Sequence, residues 1–135
     1  MLPPFGCDSS RHSSLGDEIH RIQDGASSPP IMEGNIQIIQ TTLPNNWIEP
    51  QVGEFCQYLL EAGAACIQYN SVSSMYHWQG EIISEGEWRL EIKSSIENNS
   101  SVITALKKQH PYDTPQILIR NSQTSIEYAK WVNTI

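Results

Sequence analysis

Residues 64–95, AACIQYNSVSSMYHWQGEIISEGEWRLEIKSS, decide the fold. Ala64 to Trp78 reads as one long strand, bent near Asn70 to Ser74. Trp88 to Ser95 reads as its partner. There Trp88, Leu90 and Ile92 face one way while Arg89, Glu91 and Lys93 face the other, because side chains alternate along a strand. Gly80 and Gly86 mark turns or bulges between the two. The stretch is therefore a long hairpin carrying Tyr76-His77-Trp78-Gln79-Gly80.

Upstream, Ile36, Ile38 and Ile39 make Asn35 to Thr42 a strand, and Leu43-Pro44-Asn45-Asn46 breaks it. A helix follows over about Glu49 to Ala62. Pro50 suits its first turn, where a missing N–H costs nothing. Val52, Phe55, Cys56, Leu59 and Leu60 form one apolar stripe, and Gly63 is a natural stop. Downstream, Ser100 to Gln109 reads as a helix ended by Pro111, and Pro115 to Ile119 as a short strand. A last helix spans Ser125 to Asn133, with Thr124 and Glu127 spaced as a capping box.

The order is β-α-β-β-α-β plus a terminal helix. This predicts an α+β, ferredoxin-like sandwich: a four-stranded antiparallel sheet with helices on one face. The aromatic residues Tyr69, Tyr76, Trp78 and Trp88 lie on or near strands, so the open sheet face carries apolar area that an oligomer would cover.

Residues 1–31 are rich in Gly, Pro, Ser and Asp and read as a flexible extension; residues 32–135 read as the folded domain. A net charge of −7 argues against nucleic acid and against anionic lipid as partners. No apolar run reaches the roughly 20 residues of a membrane helix, and the N-terminus shows no secretory pattern. Cys7, Cys56 and Cys66 match no zinc spacing and read as free thiols of a reducing cytoplasm. Phosphate-loop, dinucleotide, nucleophile-elbow and metalloprotease motifs are missing, so the expectation is a protein that is not an enzyme.

Five segments together resemble the CutA family of divalent-ion tolerance proteins. They are Thr41-Thr42-Leu43-Pro44; Ala64-Ala65-Cys66; Tyr76 to Ile82 with Glu85-Gly86-Glu87-Trp88 and Ile92-Lys93-Ser94; His110-Pro111-Tyr112-Asp113-Thr114-Pro115; and Tyr128-Ala129-Lys130-Trp131-Val132. The resemblance implies a ferredoxin-like protomer in a tight homotrimer, with long hairpin strands pairing across subunits, as in the PII-like trimers. It implies a role in divalent metal ion tolerance and, as cofactor, copper or another divalent metal.

His110 opens the family's His-Pro-Tyr motif and is the first candidate metal ligand, since imidazole suits copper. His77 and Cys66 are the further metal candidates, and His77 alternatively lines a subunit interface. Thr41 stands where some copper-binding members carry cysteine, and Gln116 where glutamate is usual. Lys93, Tyr112 and Trp131 match recurrent family positions and are candidates to hold a small anionic ligand in clefts between subunits. That second reading makes the protein a PII-like ligand sensor or interaction module.

Overall fold

The computed structural model describes residues 34–135; the expected extension over 1–31 and the start of the domain at 32 lie outside them. Seven elements follow in chain order: β1 (Gly34–Pro44), α1 (Glu49–Glu61), β2 (Cys66–Trp78), β3 (Glu81–Ser94), α2 (Asn99–Gln109), β4 (Leu118–Thr124) and α3 (Ile126–Asn133). The sheet order is β2-β3-β1-β4, with every neighbouring pair antiparallel. This is the expected ferredoxin-like arrangement.

The α1 helix forms where its apolar stripe predicts. Val52, Phe55, Cys56 and Leu59 are buried, and the Gln51 side chain accepts from the Ile48 N–H at 2.9 Å to close the first turn. Its stripe meets Ile39, Leu43, Leu90 and Ile92 from the sheet and Val102, Ala105 and Leu106 from α2. Each fully buried aliphatic side chain in this core contributes about 1.5–3 kcal/mol. A second, smaller cluster of Ile36, Ala129 and Val132 docks α3 on the opposite face, at one end of the sheet.

Three local expectations change. The β2 strand runs unbroken through Asn70 to Ser74, and β3 begins at Glu81 instead of Trp88. The reversal takes only Gln79 and Gly80, both at positive φ (49° and 79°), as a two-residue hairpin turn requires. Gly86 lies within β3, and a Cβ there would come within 2.9 Å of the Asn45 side chain. The last strand is Leu118–Thr124 and not residues 115–119. Its polar half pairs with Gly34 to Gln37, while Ile117 packs on the main core before the strand begins. Finally, Ser125 caps α3 by accepting from the Tyr128 N–H, in place of Thr124.

The β2 and β3 strands, at 13 and 14 residues, are about twice a usual strand length. Pairing of β3 with β1 covers only Glu87 to Ser94. Ser73 to Trp78 and Glu81 to Gly86 thus project beyond the other strands as a two-stranded arm.

Candidate functional site

Where the main sheet meets the arm, the His110-Pro111-Tyr112 turn after α2 passes the end of β1. The His110 Nδ1 accepts from the Tyr112 backbone N–H at 3.1 Å. An amide N–H can only donate, so Nδ1 carries a lone pair and the proton sits on Nε2. Nε2–H then donates to the Thr42 carbonyl at 2.8 Å, with Thr41 Oγ1 3.1 Å away. The ring is packed edge-on against Phe55 and beside Tyr112, with centroids 6.0 and 5.0 Å away. Burial pushes its pKa below the ordinary histidine value, against the Thr42 hydrogen bond and the Glu87 charge, which pull it up. The Tyr112 hydroxyl donates to Glu87 Oε2 at 2.8 Å, and burial first, then that bond, raises its pKa. His110 is thus a neutral imidazole with both nitrogens engaged.

Metal ligation needs a free lone pair on each ligand, all within about 2–2.3 Å of one ion. The three expected ligands do not meet this. His110 spends its lone pair on Tyr112. Cys66 is disulfide-bonded, which corrects the free-thiol expectation there and removes the thiol argument for a reducing cytoplasm. His77 stands on the exposed arm opposite Ile82, on the face away from Tyr76 and Trp78.

Their positions along β3 also separate them. Cys66 pairs with Lys93, His77 with Ile82, and the His110 turn reaches β3 at Glu87. At about 3.3 Å per residue these points span roughly 35 Å. Among the described residues no three His, Cys, Asp or Glu groups gather as a metal site. The described residues of one chain therefore do not fit a copper ion.

The expected ligand residues divide in two. Lys93 and Trp131 converge through Tyr128, whose ring lies 5.8 Å from Lys93 Nζ and 5.6 Å from the Trp131 ring. Lys93 Nζ also donates to Gln68 Oε1 at 2.9 Å. The Tyr128 hydroxyl is buried without a hydrogen-bond partner among the described residues, and burial raises its pKa, so it stays a donor. Tyr112 belongs to the His110 node, about 20 Å away along β3. Tyr128 was not singled out as a ligand residue from the sequence; the signal was its i, i+3 spacing to Trp131 on a docked helix.

A third cluster adds Arg120 and Gln40 to the charged residues of the hairpin. On the open sheet face, Arg120 and Arg89 both reach Glu91 Oε1, at 2.7 and 3.9 Å, and both donate to Gln40 Oε1 at 3.4 and 3.3 Å. The arm shows its own exposed surface: Met75 is 74% exposed, Ile82 68% and Trp78 60%.

Fold and site together define a ferredoxin-like protein whose polar clusters lie along one overlong hairpin. Residues 38–135 match the model of the CutA1 divalent ion tolerance protein family. The chain belongs to that family. The divalent-cation tolerance protein CutA of Thermotoga maritima is 32% identical over 97 residues, 70% of this chain and 93% of that one. The Pectobacterium atrosepticum protein of the same name is 36% identical over 72 residues, 52% of this chain and 66% of its own length. CutA of Synechococcus elongatus superposes with a TM-score of 0.69 at 26% identity, covering 77% and 92% of the two chains. The PII-like protein CutA of Nostoc sp., in apo form, does so with 0.63 at 26% identity, covering 71% and 92%.

Proposed function

We propose that this chain works as a non-enzymatic, homotrimeric CutA-type protein in divalent metal ion tolerance, and that any copper it binds is held between subunits. The names of its relatives support the metal connection. The observation that carries the assembly is the arm: a two-stranded ribbon with exposed Met75, Trp78 and Ile82 is marginal in water by itself and needs a partner surface.

His110 in this reading locks the turn, while the exposed imidazole of His77 is the ligand that a neighbouring subunit can complement. Light scattering should give three times the chain mass of 15.2 kDa; a single chain mass ends the trimer reading. In Cu(II) calorimetry His77→Ala should weaken binding at least about tenfold, and His110→Ala much less. The reverse order would restore His110 as the ligand.

One observation favours the small-ligand reading. Lys93 and the Tyr128 hydroxyl, which has no hydrogen-bond partner among the described residues, are both donors, and the Trp131 ring lies 5.6 Å from that of Tyr128. A small carboxylate would accept from both. Tyr128→Phe should abolish glutarate binding seen by calorimetry with the wild type; equal binding by both proteins would eliminate this site.

A further inference from the structure

The helix layer carries a groove apart from the three clusters described above. It runs along α1 to Gln109 at the end of α2 and has a volume of about 540 Å³. That volume lies within the usual range of small-molecule sites. Trp47, Glu54, Phe55, Tyr58 and Glu61 line it. Its one link to the other clusters is Phe55, whose ring also meets that of His110.

Helical spacing orders these groups. Glu54, Tyr58 and Glu61 lie four and three residues apart, so α1 presents them in one row. At a rise of 1.5 Å per residue the two glutamates stand about 10 Å apart along the helix, with Tyr58 between them. Trp47 and Phe55 add apolar surface beside the row, packed edge-on with centroids 5.8 Å apart. The fold fixes Trp47 there. Its N–H donates to the Pro44 carbonyl at 3.1 Å, and its own carbonyl accepts from Trp88 Nε1 at 2.9 Å.

The charge of the groove is unbalanced. The α1 helix contains Glu49, Glu54 and Glu61 but no lysine or arginine. Among the described residues the ion pairs run only to Glu91, so neither Glu54 nor Glu61 has a cation partner. Glu61 is also the last residue of α1, where the helix dipole favours a cation and disfavours a carboxylate. A ligand that answers this row has positive ends and an apolar middle. A bare metal ion would gain little from the aromatic lining, whereas an alkylammonium gains both apolar contact and attraction to the ring faces.

We infer that this groove binds a linear aliphatic polyamine, with one ammonium group at Glu54, another at Glu61, and the methylene chain laid across the aromatic side chains. The site needs neither a metal nor a second copy of the chain.

Calorimetry of the full chain with spermidine at 50 mM NaCl tests the site. One saturable site per chain is expected. Combining Glu54→Gln with Glu61→Gln should weaken it about tenfold, the sum of two exposed ion pairs. Combining Glu81→Gln with Glu97→Gln removes the same charge from exposed positions elsewhere and should change it less than about twofold. Tyr58→Leu should weaken it about threefold by removing the ring face. Octane-1,8-diamine should bind at least about fivefold more tightly than putrescine, which carries the same two charges on a shorter chain. Circular dichroism checks the fold of each variant, and if a double variant does not fold, the four single variants are compared in the same way. Unsaturable binding, or equal losses in the two double variants, would reduce the effect to general attraction by an acidic chain and overturn the site. Equal affinity for the two diamines would overturn the two-ended placement.

Discussion

A backbone N–H on one side and a carbonyl on the other hold the His110 ring neutral. Protonating Nδ1 would set an N–H against the Tyr112 N–H, so the unfolded chain binds this proton more readily than the folded one. Its pKa is lowered on folding. The stability tied to neutral His110 is therefore present above the unfolded value of about 6.5 and is lost as pH falls through it toward the folded value. Melting temperatures between pH 8 and pH 5 should fall more for the wild type than for His110→Asn; parallel curves would show that His110 does not titrate across folding. Cys56 offers a second check at this scale. Burial pushes its thiol up to about 11. Iodoacetamide at pH 8 should leave it unmodified in the native protein and modify it after unfolding in urea. The His-Pro-Tyr motif was legible in the sequence, and so was the apolar position of Cys56. The Thr42 partner of His110 was not, because 68 residues separate the two.

At the scale of elements, the docking of α3 depends on one close approach. A Cβ on Gly34 would lie 2.6 Å from the Ala129 Cβ and 2.7 Å from the Ser125 carbonyl oxygen. Gly34→Val should therefore cost at least about 1–3 kcal/mol, the usual range for overpacking, measured by urea unfolding. A loss under 0.5 kcal/mol would mean that the helix shifts freely. The arm turn carries an avoidable strain, since Gln79 adopts φ 49°. Gln79→Gly should stabilise the protein by about 0.5–1 kcal/mol, as glycine takes positive φ without a Cβ clash. A decrease would show that the glutamine side chain holds the turn by a contact of its own. Hydrophobic period identified every element between Gly34 and the last helix, because α1 and the inner strands bury one face each. It misplaced β4 because an edge strand exposes much of its surface and is built of Arg120-Asn121-Ser122-Gln123-Thr124. It shortened β3 because the arm packs against no core cluster among the described residues.

For the whole molecule, the proposed assembly makes the arm the part that depends on a partner. An assembled protein gains burial that a protomer of about 100 residues lacks, and its melting temperature depends on concentration by mass action. Diluting the protein a hundredfold should lower the midpoint, and amide exchange should speed up first in residues 73–86. A midpoint independent of concentration, with a protected arm at every dilution, would place the arm's support inside the chain.

The sequence by itself determined the order of elements, the apolar faces of α1 and β3, and the family, since these rest on local periodicity and on motifs contiguous in the chain. Only the tertiary structure decided the site. It used up the His110 lone pair, spread His110, His77 and Cys66 along β3, grouped Lys93 with Tyr128 and Trp131, and left Arg89 and Arg120 sharing one carboxylate. Each outcome depends on strand register and on which side chains a turn brings within hydrogen-bond reach. Those distances arise between residues tens of positions apart, where local periodicity carries no information.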